Sequence, residues 1–154
     1  MVMTAPISIE SVLERLRGVV DPEIPTISIV DLGLVYDIRV EDDRIAIDLL
    51  PTFVACPALE VIRSTVLEAL GPFDRSVDVS FTFAVPWTTD RLTDAGRAGL
   101  RKAGIAPPAE PSAVRCPFCE SAKVVIDSLF GPALCRSLYY CRACRQPFEA
   151  FKPI

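Results

Sequence analysis

The sequence predicts an α+β fold in which a small two-layer domain is followed by a four-cysteine zinc ribbon. Two observations lead to this prediction. Over the first hundred residues, apolar positions recur with helix and strand periodicities in the order α-β-β-α-β-α. Near the C-terminus, four cysteines form two Cys-x-x-Cys pairs, Cys116/Cys119 and Cys141/Cys144, with 21 residues between them. Two such pairs can place four thiolates around one metal ion.

Three amphipathic segments of the first domain predict helices. The first begins after Ser8, whose hydroxyl suits the free N–H groups of a first helical turn. The second has Pro57 in its first turn and stops at Gly71, and the third covers residues 90–103 and ends at Gly104. The apolar stripes of the first two helices are Ile9, Val12, Leu13, Leu16 and Val20, and Leu59, Ile62, Val66, Leu67 and Leu70.

Between these helices, alternating apolar and polar residues predict three strands. The first two are joined by the acidic turn at residues 41–43 and form a β-hairpin. The third follows a helix, so it can lie parallel to one strand of the hairpin. We therefore expect a three-stranded mixed sheet with helices on one face. The alternating positions are Leu34, Tyr36, Ile38 and Val40, then Ile45, Ile47 and Leu49, then Val77, Val79, Phe81 and Phe83.

Composition and charge restrict the location and the partners. The chain has six cysteines, and no secretory signal is visible in residues 1–10, which favours a reducing cytoplasm where paired cysteines bind metals. No apolar run approaches the roughly 20 residues that cross a bilayer, so we expect no membrane association. Residues 1–113 carry 10 basic and 17 acidic side chains, whereas residues 114–154 carry 6 basic and 3 acidic ones. A net charge of −4 gives no reason to expect nucleic acid.

The change in charge coincides with a proline-rich segment. Residues 106–111 contain three prolines, which favour an extended, semi-rigid spacer. We therefore assign residues 1–104 to the α/β domain, 105–113 to a linker and 114–154 to the ribbon.

The ribbon cysteines predict a structural metal. The chain has no histidine, so an ordinary zinc site must use thiolates alone. Strand-like residues 124–129 and 138–140 would form a hairpin that brings both pairs to one ion, with Zn–S distances of about 2.3 Å. A closed shell of four thiolates leaves no position for a substrate, and a rubredoxin-like iron site is the alternative to zinc. Cys135 is a fifth thiol of this segment: a spare group, a competing ligand or a second reactive group.

A lone cysteine and an acidic loop in the first domain form the second candidate site. Cys56 lies between a strand and a helix start, where backbone N–H groups should lower its pKa, and its thiolate could bind a soft metal. A small residue filling a core gap is the alternative. Asp21, Glu23 and Asp31 could add oxygen ligands for iron, although turn capping by these carboxylates is the reading that the sequence favours.

Several of these motifs resemble the metal-sulfur cluster biosynthesis family, which includes SufT-like proteins. The resemblance rests on residues 21–25, 31–36 and 52–57 and covers most of residues 8–104. When residues 87–90 and the two cysteine pairs are included, nearly the whole chain resembles the PaaD family. Its members are the D components associated with the bacterial phenylacetyl-CoA epoxidase system. The single tryptophan, Trp87, is expected to be a packing anchor.

The resemblance implies an accessory protein for aerobic phenylacetate degradation, one that helps to mature or insert the iron or iron–sulfur centre of the epoxidase oxygenase or reductase. The family's cysteine falls on Cys56 and its acidic motif on Asp21 and Glu23, which become candidates for transient iron or cluster transfer. Expected partners are those oxygenase or reductase subunits or iron–sulfur assembly proteins, and no independent catalytic activity is expected. A structural subunit without metal transfer and a nucleic-acid-binding zinc ribbon are the alternatives.

One residue departs from the family pattern. Glu120 follows Cys119, where related knuckles usually carry glycine. A left-handed backbone at this position costs glutamate more than glycine, so the knuckle is expected to be slightly altered while its ligands remain.

Overall fold

The element order predicted for the α/β domain is confirmed in a computed structural model, which describes residues 6–154. Ser8 caps the first helix, because its side chain accepts a hydrogen bond from the Ser11 N–H while the Ser11 hydroxyl oxygen accepts one from the Ser8 N–H. The elements of the domain are α1 (Ile9–Leu16), β1 (Val35–Val40), β2 (Arg44–Leu49), α2 (Leu59–Leu70), β3 (Ser76–Phe81) and α3 (Asp94–Lys102).

The three strands form the expected mixed sheet in the order β1-β2-β3. Strand β2 is antiparallel to β1 and parallel to β3, which α2 connects to it. Helices α1 and α2 pack against each other and against the sheet. The core between them is apolar, and fully burying each aliphatic side chain is worth roughly 1.5–3 kcal/mol. Its largest fully buried members include Leu16, Ile45, Ile47, Leu49, Ile62 and Leu70.

Five apolar positions of the predicted helices and strands are at least 40% exposed, so their predicted burial was wrong: Ile9, Val20, Tyr36, Leu67 and Phe83. Tyr36 is turned outward because the β1–β2 register shifts at this residue. Val20 lies beyond the end of α1, and Phe83 lies beyond the end of β3. Periodicity identified these elements but could not locate a bulge or an element end.

The helix starts also differ from the predicted ones. Pro57 precedes α2 in a turn instead of occupying its first turn. Helix α3 begins at Asp94, and its N-cap Thr93 accepts a hydrogen bond from the Gly96 N–H. Residues 89–91 form a separate 3-10 turn before it.

The ribbon is a four-stranded sheet. The predicted hairpin is present as β5 (Val124–Ser128) and β6 (Arg136–Cys141), and β7 (Pro147–Phe151) pairs antiparallel with β6. Strand β4 (Ile105–Ala106) pairs parallel with β7, so the first two residues of the assigned linker belong to the ribbon sheet. The exact domain limits stay a prediction.

The ribbon is docked on the α/β domain through its last strand. Phe151 belongs to the main core and lies against Trp87, with 5.7 Å between the ring centroids. Trp87 is buried, and its indole N–H donates a hydrogen bond to the carbonyl of Leu32 at 3.0 Å, which confirms its expected role as a packing anchor. The side chain of Arg136 also forms an ion pair with Glu23 at 3.6 Å. Among the described residues, no helix is long and apolar enough to cross a membrane.

Candidate metal sites

The sulfur atoms of the four paired ribbon cysteines converge. Their Sγ atoms all lie within 4.8 Å of one another, with 3.7 Å between Cys116 and Cys144 and 3.6 Å between Cys119 and Cys141. A tetrahedral ion with bonds of about 2.3 Å requires sulfur–sulfur separations of about 3.8 Å. The cluster therefore fits one metal ion. In residues 6–154 it is the only group of three or more potential ligands that lie this close together.

Left-handed residues build the two knuckles of this cluster. Glu120 follows Cys119 with a φ of 62°, as the comparison with glycine-containing knuckles predicted, and Arg145 follows Cys144 with a φ of 60°. These turns direct backbone N–H groups at sulfur, as from Ser121 to Cys119. An N–H donor stabilises a thiolate, so the backbone prepares the sulfurs for a cation.

The thiols of the cluster have unequal proton affinities. Backbone N–H groups of Cys144 and Ala143 lower the pKa of Cys141 to about 7, whereas burial raises the pKa of Cys144 to about 12. Four adjacent thiols cannot all ionise alone, because each thiolate disfavours the next. A bound divalent cation would offset this repulsion, which links metal binding to folding of the ribbon.

A cavity of about 210 Å³ lies between the α/β domain and the ribbon. Its walls are mostly apolar, with two thiols, from Cys56 and Cys135, and one carboxylate, from Glu23. The domain side consists of Glu23, Thr52, Phe53, Ala55, Cys56 and Pro57, and the ribbon side of residues 131–135.

Cys56 is half-buried in this cavity, and its pKa is raised, which is opposite to the prediction from its position near a helix start. Burial is the main cause, and the nearby charges of Glu23 and Asp21 add to it. The N–H of Ala58 donates to the sulfur and partly offsets the increase. Helix α2 begins only at Leu59, so desolvation of the thiolate outweighs the helix terminus.

The acidic residues of the loop have different roles. Asp21 is buried, and its Oδ1 atom accepts hydrogen bonds from the N–H groups of Glu23 and Ile24 at 2.8 and 3.0 Å. Asp31 accepts hydrogen bonds from the hydroxyls of Ser28 and Thr93, and the latter contact ties the loop to α3. The Asp21 carboxylate therefore caps a turn, the alternative that the sequence favoured, whereas Asp31 holds the loop through two side-chain hydroxyls.

Glu23, in contrast, faces the cavity and pairs with Arg136 of the ribbon. Cys56, Asp21 and Glu23 share one region, since both carboxylates act on the thiol, but they do not form a cluster as tight as that of the ribbon cysteines. Their role in iron or cluster transfer stays a prediction.

The structure adds Cys135 to this region. The residue is half-buried and lines the same cavity as Cys56, although it belongs to the ribbon. Burial raises the pKa of Cys135, and the adjacent guanidinium of Arg136 acts in the opposite direction. Sequence reasoning noted this thiol but could not connect it to Cys56, because no spacing rule relates residues of two different modules.

Two family models match the chain. A model described as "PaaD zinc beta ribbon domain" matches residues 102–152, and one described as "Iron-sulfur cluster assembly protein" matches residues 9–81. The second range contains Asp21, Glu23 and Cys56, and the first contains all five ribbon cysteines.

Individual proteins match either nearly the whole chain or mainly its first domain. An Escherichia coli K12 protein, named as a putative subunit of 1,2-phenylacetyl-CoA epoxidase, is 37% identical over 97% of this chain and 96% of its own length. The "Fe-S protein maturation auxiliary factor YitW" of Bacillus subtilis is 33% identical over 59% of this chain and 91% of its own. The solved structure of the conserved hypothetical protein TM0487 from Thermotoga maritima is 33% identical, covers 62% of this chain and 96% of its own, and superposes with a TM-score of 0.55.

Proposed function

Because the chain belongs to the PaaD family of phenylacetyl-CoA epoxidase components, whose first domain is of the iron–sulfur assembly type, we propose that it helps to mature or insert an iron or iron–sulfur centre of that epoxidase system. The metal or cluster is the cargo. The clients are the oxygenase or reductase subunits of the epoxidase, or assembly proteins that serve them, in the cytoplasm.

The observation that carries this proposal is the position of Cys56 in a cavity shared by the two modules. The thiol is half-buried and lies near Glu23, and the cavity that both residues line has a volume of about 210 Å³. A soft thiolate and a hard carboxylate together suit iron. Asp21 supports this site indirectly, because its hydrogen bonds to the N–H groups of Glu23 and Ile24 fix the loop.

Raised thiol pKa values fit a transient role. In the absence of cargo, Cys56 is protonated at neutral pH, since burial disfavours its thiolate. Binding a metal must displace this proton, and protonation must favour release, so affinity stays moderate and depends on pH. Such a group suits a carrier better than a permanent holder.

The ribbon metal has a different role in this proposal. We assign one zinc ion to Cys116, Cys119, Cys141 and Cys144, since their sulfur spacing matches tetrahedral thiolate coordination. All four positions around the ion are filled by protein sulfur, so the ion would fix the ribbon fold and leave no place for cargo.

The test is reconstitution of epoxidase activity with a Cys56→Ala variant. We expect full loss of the protein's contribution to activity, with unchanged folding and zinc content. Iron and acid-labile sulfide in the purified oxygenase and reductase would identify which client lacks its centre. Val54→Ala is the matched control, because Val54 is an exposed residue of the same loop outside the cavity.

Full activity with Cys56→Ala would contradict metal transfer. Stoichiometric co-purification of that active variant with the oxygenase would then support the alternative of a structural subunit.

A further inference from the structure

We propose that Cys135 is a second cargo-binding thiol, so that the ribbon completes the metal site begun by Cys56 and Glu23. This inference rests on the proposed function and defines its site more closely. The ligand class is a soft or borderline metal, either a ferrous ion or a small iron–sulfur cluster, held by two thiolates and one carboxylate.

Three potential ligands from both modules line one cavity. Cys56 comes from the loop before α2 and Cys135 from the turn before β6, yet both side chains line one cavity of about 210 Å³. Glu23 lines it too, and its charge acts on both thiols. Thiol and carboxylate side chains that share one mostly apolar cavity are an unusual lining for a packing defect and a suitable one for iron.

Backbone hydrogen bonds fix the turn that carries Cys135. The Cys135 carbonyl accepts a hydrogen bond from the Lys152 N–H at 2.8 Å, and the Arg136 N–H donates to the carbonyl of Ala133 at 3.1 Å. Gly131 closes the turn with a bond to the Arg136 carbonyl, and a Cβ atom at Gly131 would lie 2.8 Å from that oxygen. The geometry therefore fixes the backbone that carries the thiol at the cavity wall.

A buried cation lies next to this thiol in the chain. The Arg136 side chain is only 8% exposed and lies between Glu23 at 3.6 Å and Glu149 at 3.2 Å. Its positive charge acts on the neighbouring Cys135 thiol, and its Nε atom and Oε1 of Glu149 have no hydrogen-bond partner. A buried cation with spare donor capacity stabilises the negative charge that two thiolates and a carboxylate bring to a metal.

The thiols of this cavity differ in spacing from the four paired ribbon cysteines. The ribbon sulfurs already lie at 3.6 and 3.7 Å from their neighbours, as a resident ion requires. Among the described residues, Cys56 and Cys135 make no sulfur–sulfur contact of this kind. Together with Glu23 they lie farther apart than the 4.8 Å that encloses the ribbon sulfurs, so they line an open cavity that a cargo can enter and leave.

The test is anaerobic titration of the zinc-loaded, full-length chain with Co²⁺, followed by thiolate-to-cobalt charge-transfer absorbance and by metal analysis. We expect the wild-type chain to bind one Co²⁺ in addition to its zinc. Cys135→Ser should lower the affinity for this ion at least tenfold and reduce the charge-transfer absorbance by about half, as should Cys56→Ser, because each removes one of two thiolate ligands. The double variant should show no charge-transfer band from an added ion.

Leu134→Ala is the matched control, since Leu134 lines the same cavity from the same turn but carries no ligand atom. It should bind Co²⁺ as the wild type does, and the zinc content of every variant should equal one. An unchanged band and affinity in Cys135→Ser, or the absence of extra Co²⁺ binding by the wild type, would overturn the inference. Neither result decides the proposed function, because that function is read from epoxidase activity with Cys56→Ala.

Discussion

The α/β domain and the ribbon differ in how they place their cysteines. In the ribbon, four sulfurs lie within 4.8 Å of one another, surround a common centre and receive backbone N–H groups. In the domain, Cys56 is half-buried at a cavity wall, and its closest acidic neighbours disfavour its thiolate. The first arrangement retains an ion and the second suits temporary binding. The same side chain thus acquires two roles from the number of its neighbours and from the charge around it.

The two regions also differ in what holds them together. The main core contains 23 buried apolar residues, most of them aliphatic, and only Ile105 and Phe151 of these come from the ribbon sheet. A core of this kind can stabilise a domain of about a hundred residues. The hydrophobic core of the ribbon contains only seven buried residues, and two of these are the candidate ligands Cys116 and Cys141. The ribbon therefore depends on its metal far more than the domain does.

Removing the ribbon metal is the change with the largest expected effect. Structural zinc supplies about 10–16 kcal/mol of apparent folding free energy in small modules, so chelation, or Cys141→Ala, should unfold residues 114–154. The domain should keep its helices but lose the packing of Phe151. Hydrogen exchange followed by mass spectrometry would resolve the two regions.

Unfolding of both regions in a single cooperative step upon chelation would show that the predicted domain limits are wrong. Readdition of zinc should restore protection in the ribbon and serves as the control for irreversible damage.

The contact between the two regions provides the next largest effect. Phe151→Ala removes a fully buried ring that packs against Trp87, and such truncations cost about 3–5 kcal/mol. Phe130→Ala is the matched control, because Phe130 belongs to the same ribbon but is 81% exposed. Denaturant unfolding should separate the two variants clearly, and equal stabilities would contradict docking through β7.

The reactivity of Cys56 gives a smaller effect, measured in rates. Burial raises the pKa of the Cys56 thiol, with Glu23 and Asp21 acting in the same direction, so less thiolate is present at neutral pH than for a free cysteine. Alkylation of the zinc-loaded protein, measured at Cys56 by peptide mass spectrometry, should therefore be slow at pH 7. Its rate should rise about tenfold per pH unit and continue to rise beyond pH 8.5, where a free thiol begins to level off. Glutathione provides the reference, and a rate that levels off below pH 8 would contradict the raised pKa.

The smallest expected effect concerns the knuckle itself. Glu120 has a φ of 62°, which glycine adopts without the penalty of a side chain, so Glu120→Gly should stabilise the metal-loaded ribbon by about 1 kcal/mol. Ala143→Gly, in the other knuckle, is the control: Ala143 has no positive φ, so glycine there should be neutral or destabilising. Thermal unfolding would measure both, and a destabilised Glu120→Gly variant would show that the side chain contributes more than the backbone strain costs.

Much of the fold could be predicted from periodicity and spacing. The helix and strand order, the parallel third strand and the ribbon hairpin all follow from local patterns, because each element buries one face. The exposure of Tyr36 could not be predicted, since a register shift depends on how two strands pair. Strand β7 was also missed, because only residues 124–129 and 138–140 of the ribbon were predicted to be strands.

The candidate sites divide in the same way. The ribbon cluster was predictable because Cys-x-x-Cys spacing brings each pair of sulfurs together within one turn of the chain. The direction of the Cys56 pKa shift was predicted wrongly, because burial and neighbouring carboxylates outweigh a helix start that lies three residues away.

By itself, the sequence determined the order of elements in the α/β domain, the ribbon hairpin, the four-thiolate cluster and the family resemblance, because these properties are set by short local patterns. The tertiary structure decided which distant groups meet. Only docking of the ribbon through Phe151 and Arg136 brings Cys135 to the cavity of Cys56 and Glu23. Contacts of this kind depend on how two modules pack, and packing is a property of surfaces that no local pattern records.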